Sequence, residues 1–181
     1  MQIHFLCPLW GRESDDFDKF LDDVVTSGYD GVELPFSSTD AIVNQKLVEK
    51  ILARDLIWVG QNWRASGSEF TEHKKIQRKF LMELAELKPL FINSHTGKDY
   101  FDFDQNMELI NDAEKVAQKT SIKVLHETHR TRFNFAAHVT KTFLQTNSNI
   151  RLTADISHWC NVAESLLEDQ HSLPVFIWSD A

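Results

Sequence analysis

Short apolar runs and longer amphipathic segments alternate along the chain. The apolar runs predict strands over 3–7, 31–34, 56–60, 90–94, 122–126 and 150–155. The longer segments repeat apolar residues at helical spacing, which predicts helices over 15–27, 40–54, 69–87, 104–119, 135–146 and about 161–169. Their apolar positions, including Val25, Ile42, Val43 and Leu52, are expected to face the core. A further apolar run at 175–178 is a possible seventh strand.

This order of elements predicts an α/β fold with about six βα units and a parallel sheet, because short crossovers between such units are right-handed. An open doubly wound sheet and a (β/α)8 TIM barrel both fit that order. The turn from Pro8 to Arg12 lacks the Gly-x-Gly-x-x-Gly pattern of a dinucleotide site, and polar residues follow the strands, which favours the barrel. A complete barrel usually needs about 250 residues. The expectation is therefore one domain over 1–181, an incomplete barrel that lacks the last one or two units.

Composition narrows the possible partners and location. The net charge of −8 argues against a nucleic acid or membrane surface that is held mainly by charge. No apolar run approaches the roughly 20 residues of a membrane span, and the N-terminus lacks a basic leader with an apolar core. Cys7 and Cys160 form no Cys-x-x-Cys pair, so two ordinary thiols are expected. These features predict a cytoplasmic protein without membrane or nucleic-acid partners.

Acidic residues and histidines directly follow the fifth and sixth predicted strands. Glu127 lies in His-Glu-Thr-His-Arg at 126–130, and Asp155 and His158 lie in Ala-Asp-Ile-Ser-His-Trp at 154–159. Parallel strand ends share one face of the fold, where active sites form. Glu127 and Asp155 are therefore predicted to bind a divalent metal ion (Mn, Mg, Co or Zn), with His158 beside them in the turn after the strand. Each acid alone could instead cap the next helix.

Polar and aromatic residues at the other strand ends are candidate substrate contacts. The side chain of Arg130 could bind a phosphate or carboxylate group, and that of Trp10 could stack on a sugar ring, although packing is the commoner use of such an aromatic residue. The candidates for substrate binding are His95, Arg130, Trp10, Asn62 and Glu33.

Other charged and aromatic residues need no ligand to explain them. Arg132 fits a surface ion pair, which contributes little stability, at least as well as a forked contact to an anion. His73 and His138 fit structural or surface roles, and Trp159 fits packing over the barrel end or a place on its rim.

Four segments together resemble the sugar phosphate isomerase/epimerase family of xylose isomerase-like barrels. They are Gly-Tyr-Asp-Gly-Val-Glu-Leu at 28–34, Asn-Ser-His-Thr-Gly at 93–97, His-Glu-Thr-His-Arg at 126–130 and Thr-Ala-Asp-Ile-Ser-His-Trp at 153–159. The resemblance implies a divalent ion bound by Glu, Asp, His and Glu. Glu127 matches the first ligand, Asp155 matches the second, and His158 matches a catalytic residue beside the metal that contacts substrate. Residues 171–181 contain no match for the last two ligands.

The resemblance also implies a metal-dependent isomerase or epimerase of a sugar, sugar phosphate or sugar acid. Its chemistry would be proton transfer next to a carbonyl through a metal-stabilised enediolate, with Glu127 as one of two proton-exchanging carboxylates. Because the second carboxylate is not found, turnover is expected to be low, and unpaired strand edges are expected to cause self-association. Two alternatives stay open: a metal-dependent phosphodiester hydrolase like the apurinic endonucleases, and a non-catalytic remnant.

Overall fold

The computed structural model describes residues 2–36 and 40–168, in which strands and helices alternate. The strands are β1 (Leu6–Pro8), β2 (Gly31–Leu34), β3 (Ile57–Asn62), β4 (Ile92–Ser94), β5 (Val124–Glu127) and β6 (Leu152–Thr153). The helices are α1 (Phe17–Thr26), α2 (Ala41–Leu52), α3 (Phe70–Glu86), α4 (Phe103–Thr120), α5 (Ala137–Thr146) and α6 (Ile156–Ala163). Among these helices, none combines the length and the apolar character that crossing a bilayer requires.

The six strands form one parallel sheet in chain order, from β1 to β6. A doubly wound sheet would reverse its strand order at a switch point, whereas consecutive parallel neighbours are the arrangement of a TIM barrel. The register aligns the strand ends, because Ser94 pairs with His126 and Glu127 pairs with Thr153. The prediction of an incomplete (β/α)8 barrel with six units is confirmed for the described residues.

Two of the three apolar clusters among the described residues pack α1 to α5 against the sheet, and the third contains Trp159 of α6. The larger one lies under β1 to β5, and its fully buried members include Phe20, Leu21, Val32, Ile51, Leu81 and Ile92. The smaller one joins α4, α5 and the segment that follows β5, and it contains Ile110, Phe133, Phe143 and Ile150. Because the second cluster includes Phe133, it fixes the chain that leaves the end of β5.

Some apolar helix positions were wrongly predicted to be core. Val25 is 47% exposed, Ile42 66%, Val43 43% and Leu52 57%. The buried stripes of these helices are narrower than the apolar pattern, since in α2 only Val48 and Ile51 are fully buried. Helical periodicity shows which side of a helix is apolar, but the width of the contact is set by the neighbouring element.

The sixth helix begins earlier than predicted. It starts at Ile156 because the side chain of Asp155 accepts a hydrogen bond from the backbone N–H of Ser157, which caps the first turn. Glu164, in the left-handed region at φ 49°, ends it. His158 therefore lies on the first helical turn and not in a preceding turn. The possible strand at 175–178 lies outside the described residues.

Candidate metal centre

Two strand-end acids and one histidine come together at the carboxyl end of the sheet. Glu127 is the last residue of β5, Asp155 follows β6, and His158 lies one helical turn later. Each of the three offers a ligand atom, and these atoms all lie within 4.8 Å of one another. Two carboxylates and an imidazole are a donor set for Mn²⁺, Co²⁺ or Zn²⁺, so the residues present fit a divalent cation.

Glu127 is 7% exposed, and its Oε2 atom has polar contacts with two residues. Asn93 Nδ2 donates a hydrogen bond to its Oε2 at 2.5 Å, and His95 Nε2 lies 3.0 Å from the same atom. Burial alone would raise the pKa of Glu127, but His95 and Asn93 outweigh it and hold the pKa below its ordinary value. The carboxylate is therefore ionised at neutral pH, as a cation ligand or a base must be.

The Asn93 amide also reaches a second carboxylate. Its Nδ2 donates to Glu33 Oε1 at 2.9 Å, so one amide lies between Glu33 and Glu127. Burial raises the pKa of Glu33, and the charge of Glu127 raises it further against the opposing Asn93 hydrogen bond. Two neighbouring carboxyl groups thus have pKa values that are moved in opposite directions, a pattern that separates acid from base roles in active sites.

The two carboxylate oxygens of Asp155 contact different residues, Ser157 and His158. Its Oδ1 accepts hydrogen bonds from the backbone N–H of Ser157 at 3.0 Å and from the hydroxyl of Ser157 at 2.5 Å. Its Oδ2 lies 3.8 Å from His158 Nε2. Helix capping and cation binding were competing explanations for this residue from the sequence. The geometry is compatible with both, because the capping bonds use only one oxygen.

A third histidine, His129, lies between the two predicted ones and was missed by the sequence reasoning. Its ring centroid is 4.4 Å from that of His95 and 3.8 Å from that of His158. His95, Glu127 and His129 form a second group whose ligand atoms all lie within 4.8 Å of one another. Side chains two positions apart on an extended chain point to the same side. That spacing from Glu127 could have identified His129.

Comparison with known proteins identifies the fold. No known protein-family pattern and no curated protein matches the sequence. Solved structures do match: L-ribulose 3-epimerase has a TM-score of 0.69 at 15% identity, over 90% of this chain and 63% of that one. D-psicose 3-epimerase from Clostridium cellulolyticum, solved with D-tagatose, has a TM-score of 0.67 at 17% identity, over 88% and 65%.

A further match is a xylose isomerase-like TIM barrel protein from Mycobacterium smegmatis in complex with magnesium, with a TM-score of 0.63 at 11% identity, over 83% of this chain and 63% of that one. The chain has the fold of the xylose isomerase-like TIM barrels. It spans slightly less than two thirds of the length of these xylose isomerase-like structures. At these identities the likeness establishes the fold, and the roles of the site residues stay predictions.

The other predicted substrate contacts lie around the same carboxyl end of the barrel. Asn62 is 1% exposed and donates from Nδ2 to Ser94 Oγ at 3.3 Å, while its buried Oδ1 has no hydrogen-bond partner among the described residues. Trp10 is 58% exposed, and its Nε1 donates to Gln61 Oε1 at 3.1 Å. Arg130 is exposed on the rim.

Two residues near this mouth have structural contacts. The interpretation of Arg132 as part of a surface ion pair is wrong. Arg132 is 8% exposed, and its Nη1 donates a hydrogen bond to the carbonyl of Gly97 at 3.3 Å. Gly97 has φ +67°, and a Cβ at this position would lie 2.1 Å from Asn106 Oδ1. Position 97 therefore requires glycine. Trp159 is buried, and its Nε1 donates to the carbonyl of Asn134 at 2.8 Å. That contact ties α6 to the segment after β5.

Proposed function

We propose that the chain carries the site of a divalent-metal-dependent isomerase or epimerase of a sugar, sugar phosphate or sugar acid. Glu127 and Asp155 hold the cation, and His158 lies beside it and contacts a substrate oxygen. The observation that carries this proposal is the convergence of these three side chains at the carboxyl end of a parallel sheet. The sugar 3-epimerases among the structures of the same fold support the substrate class.

A divalent cation held by Glu127 and Asp155 would supply Lewis-acid polarisation of a substrate carbonyl, next to the carbon that exchanges its proton. The Glu127 carboxylate, ionised because its pKa is lowered, accepts that proton. The second proton-exchanging carboxyl group, which the sequence reasoning did not find, is Glu33, which accepts a hydrogen bond from the same Asn93 amide. The rigid amide of Asn93 keeps the two carboxyl groups in fixed relation.

The remaining residues bind the sugar. The amide oxygen of Asn62 and the buried ring of His95 offer hydrogen bonds to hydroxyl groups. The exposed indole of Trp10 covers one face of the ring. The guanidinium of Arg130 binds an anionic group at the far end of a sugar phosphate or sugar acid. The ligand is thus a small polar molecule of sugar size.

Proton transfer can be measured more sensitively than net conversion. We would incubate the chain with Mn²⁺ and a panel of ketoses and ketose phosphates in D₂O and follow deuterium incorporation by NMR. The proposal predicts metal-dependent exchange at a carbon next to the carbonyl. Glu127→Gln should slow that exchange by about 10²–10⁴-fold, the usual contribution of a general base.

The matched control is Glu86→Gln, which changes an exposed acid at the end of α3, far from the mouth. It should exchange at the rate of the unchanged chain. Equal exchange in the Glu127→Gln variant would contradict the proposal. Cleavage of a duplex with an abasic site, without exchange in any sugar, would favour the hydrolase over the isomerase.

A further inference from the structure

Two basic side chains lie near each other at the carboxyl end of the sheet, outside the group of residues that would hold a cation. Lys98 follows β4 and is partly buried, and Arg132 follows β5 and is 8% exposed. Among residues 2–36 and 40–168, no carboxylate forms a salt bridge with either side chain. Because an unpaired charge is costly to bury, the pair indicates a place where an anion binds.

Arg132 has hydrogen-bond donors that its backbone contact does not use. Its Nη1 donates to the carbonyl of Gly97, whereas its Nε is buried and has no hydrogen-bond partner among the described residues. Burial lowers the pKa of the guanidinium, against the charges of Asp99 and Glu127, but an arginine stays ionised at neutral pH. A guanidinium with unused donors can make a forked contact to the two oxygens of a carboxylate.

The backbone holds Lys98 beside Arg132. The carbonyl of Gly97 accepts from Arg132 on one side of Lys98, and the backbone N–H of Asp99 donates to the carbonyl of Thr131 at 3.4 Å on the other side. Burial lowers the pKa of Lys98, and the positive charge of Arg132 lowers it further. An anion that contacts both cations would remove this repulsion.

The turn that carries Lys98 is fixed without a ligand. The side chain of Asn106, on α4, accepts from the backbone N–H of Lys98 at 3.2 Å and donates to its carbonyl at 2.9 Å. Gln77, on α3, accepts from the backbone N–H of Gly97 at 3.3 Å. Both amide side chains are buried. A site that is ordered in advance loses little conformational entropy when its ligand binds.

The charges around the pair match one carboxylate. Lys98 and Arg132 contribute two positive charges, and the exposed carboxylate of Asp99, whose field reaches both, offsets one of them. His73 adds no charge at neutral pH, because burial and the charges of Lys98 and Arg132 lower its pKa to about 4. Glu127 also acts on Arg132, but its charge is used by the proposed cation. The chain as a whole has a net charge of −8, so any attraction for an anion is local to this pair.

We propose that Lys98 and Arg132 form a carboxylate-binding site that makes a sugar acid the substrate of this barrel. The guanidinium of Arg132 makes a forked contact to the carboxylate, and the ammonium of Lys98 contacts one of its oxygens. The proposal rests on the proposed function for the sugar part of the ligand. It adds a buried contact to the exposed one from Arg130, and it selects sugar acids over neutral sugars and sugar phosphates.

Three ketoses that differ only in their terminal group test the proposal: D-fructose, D-fructuronate and D-fructose 6-phosphate. Their binding to the full chain is measured by saturation-transfer NMR at pH 7.5 in the presence of a chelator, so no bound metal contributes. D-Fructuronate should bind at least about 10-fold more tightly than D-fructose, the value of one charge-assisted hydrogen bond. D-Fructose 6-phosphate should bind less tightly than D-fructuronate.

The preference for the acid should disappear in Lys98→Met and in Arg132→Met, and circular dichroism melts establish that each variant is folded. If Arg132→Met does not fold, Lys98→Met alone decides. The matched control is Lys123→Met, which changes an exposed lysine at the opposite end of the sheet, before β5, and should keep the preference. The ratio of the two affinities is the readout, because a merely structural role of Lys98 would weaken both ligands equally.

Equal binding of D-fructose and D-fructuronate, or an unchanged preference in Lys98→Met, would overturn the proposal. Tighter binding of D-fructose 6-phosphate than of D-fructuronate would overturn the assignment to a carboxylate. Failure of the proposed function is distinguishable from these results. A Lys98-dependent preference for the acid, without metal-dependent proton exchange in any sugar, would support the carboxylate site while contradicting the isomerase.

Discussion

Replacing Asn93 by leucine removes the amide between Glu33 and Glu127 and keeps the branched shape of the side chain. Asn93 Nδ2 donates to Glu33 Oε1 at 2.9 Å and to Glu127 Oε2 at 2.5 Å. Each hydrogen bond to a charged group contributes about 1.5–3 kcal/mol. Glu33 is only partly buried, so the hydrogen bond to Glu33 contributes less to stability than the one to Glu127. We expect Asn93→Leu to lower the free energy of unfolding by about 2–4 kcal/mol at neutral pH.

The loss should depend on pH in a definite direction. The folded-state pKa of Glu127 is lowered, so its stabilising contribution is present above the ordinary value of 4.5 and is lost as pH falls through the folded-state pKa. The pKa of Glu33 is raised, so ionising it costs stability as pH rises above 4.5, and Asn93 reduces that cost. Removing Asn93 therefore costs most at neutral pH and least near pH 4.

Urea unfolding followed by circular dichroism at pH 4, 5.5 and 7.5, with a chelator present, measures the effect. The matched control is Asn106→Leu, because Asn106 is equally buried, at 3% exposure, but its amide bonds the backbone of Lys98 and Phe101. Its cost should not change with pH. If Asn93→Leu lost the same free energy at pH 4 as at pH 7.5, the charge-based explanation would be refuted.

Three further outcomes are expected. Mn²⁺ at about 100 times its Kd should raise the free energy of unfolding by about 2.7 kcal/mol. A thermal-shift assay should show this stabilisation in the control variant His138→Ala and none in Glu127→Ala. Equal stabilisation of the two variants would contradict cation binding at Glu127. Phe133→Ala should cost about 3–5 kcal/mol in urea unfolding, because Phe133 is 1% exposed in the smaller core cluster; a loss below about 1 kcal/mol would show that this cluster is not well packed. Ser121→Gly should raise the free energy of unfolding by about 0.5–1 kcal/mol, because Ser121 ends α4 in the left-handed region at φ 61°. If calorimetry showed that the variant is less stable, the backbone at Ser121 would not be strained.

The order of the elements could be predicted from sequence because it depends on local patterns. Alternating apolar and amphipathic segments are sufficient for six parallel βα units, and short connections leave few other topologies. The faces of the helices depend on distant neighbours, which explains why Ile42 and Leu52 were wrongly placed in the core. The start of α6 was wrong because one capping side chain, Asp155, outweighed the apolar spacing further along.

The candidate site could be predicted in part. Glu127 and Asp155 follow adjacent strands, so their convergence follows from the topology alone. The place of His129 depends on the path of the chain after β5, and that path is fixed by long-range contacts such as the one from Arg132 to the Gly97 carbonyl. The two-residue spacing from Glu127 indicates on which side of the chain His129 lies, but not its distance from His95 and His158. The cytoplasmic location, the absence of a nucleic-acid partner and self-association through strand edges stay predictions.

The most direct test of the central claim is a crystal of the full chain soaked in Mn²⁺, with data collected for anomalous scattering. We predict an anomalous peak about 2.0–2.2 Å from carboxylate oxygens of both Glu127 and Asp155. A map in which manganese binds elsewhere, or in which those two carboxylates point to different parts of the molecule, would contradict the claim that they hold one cation.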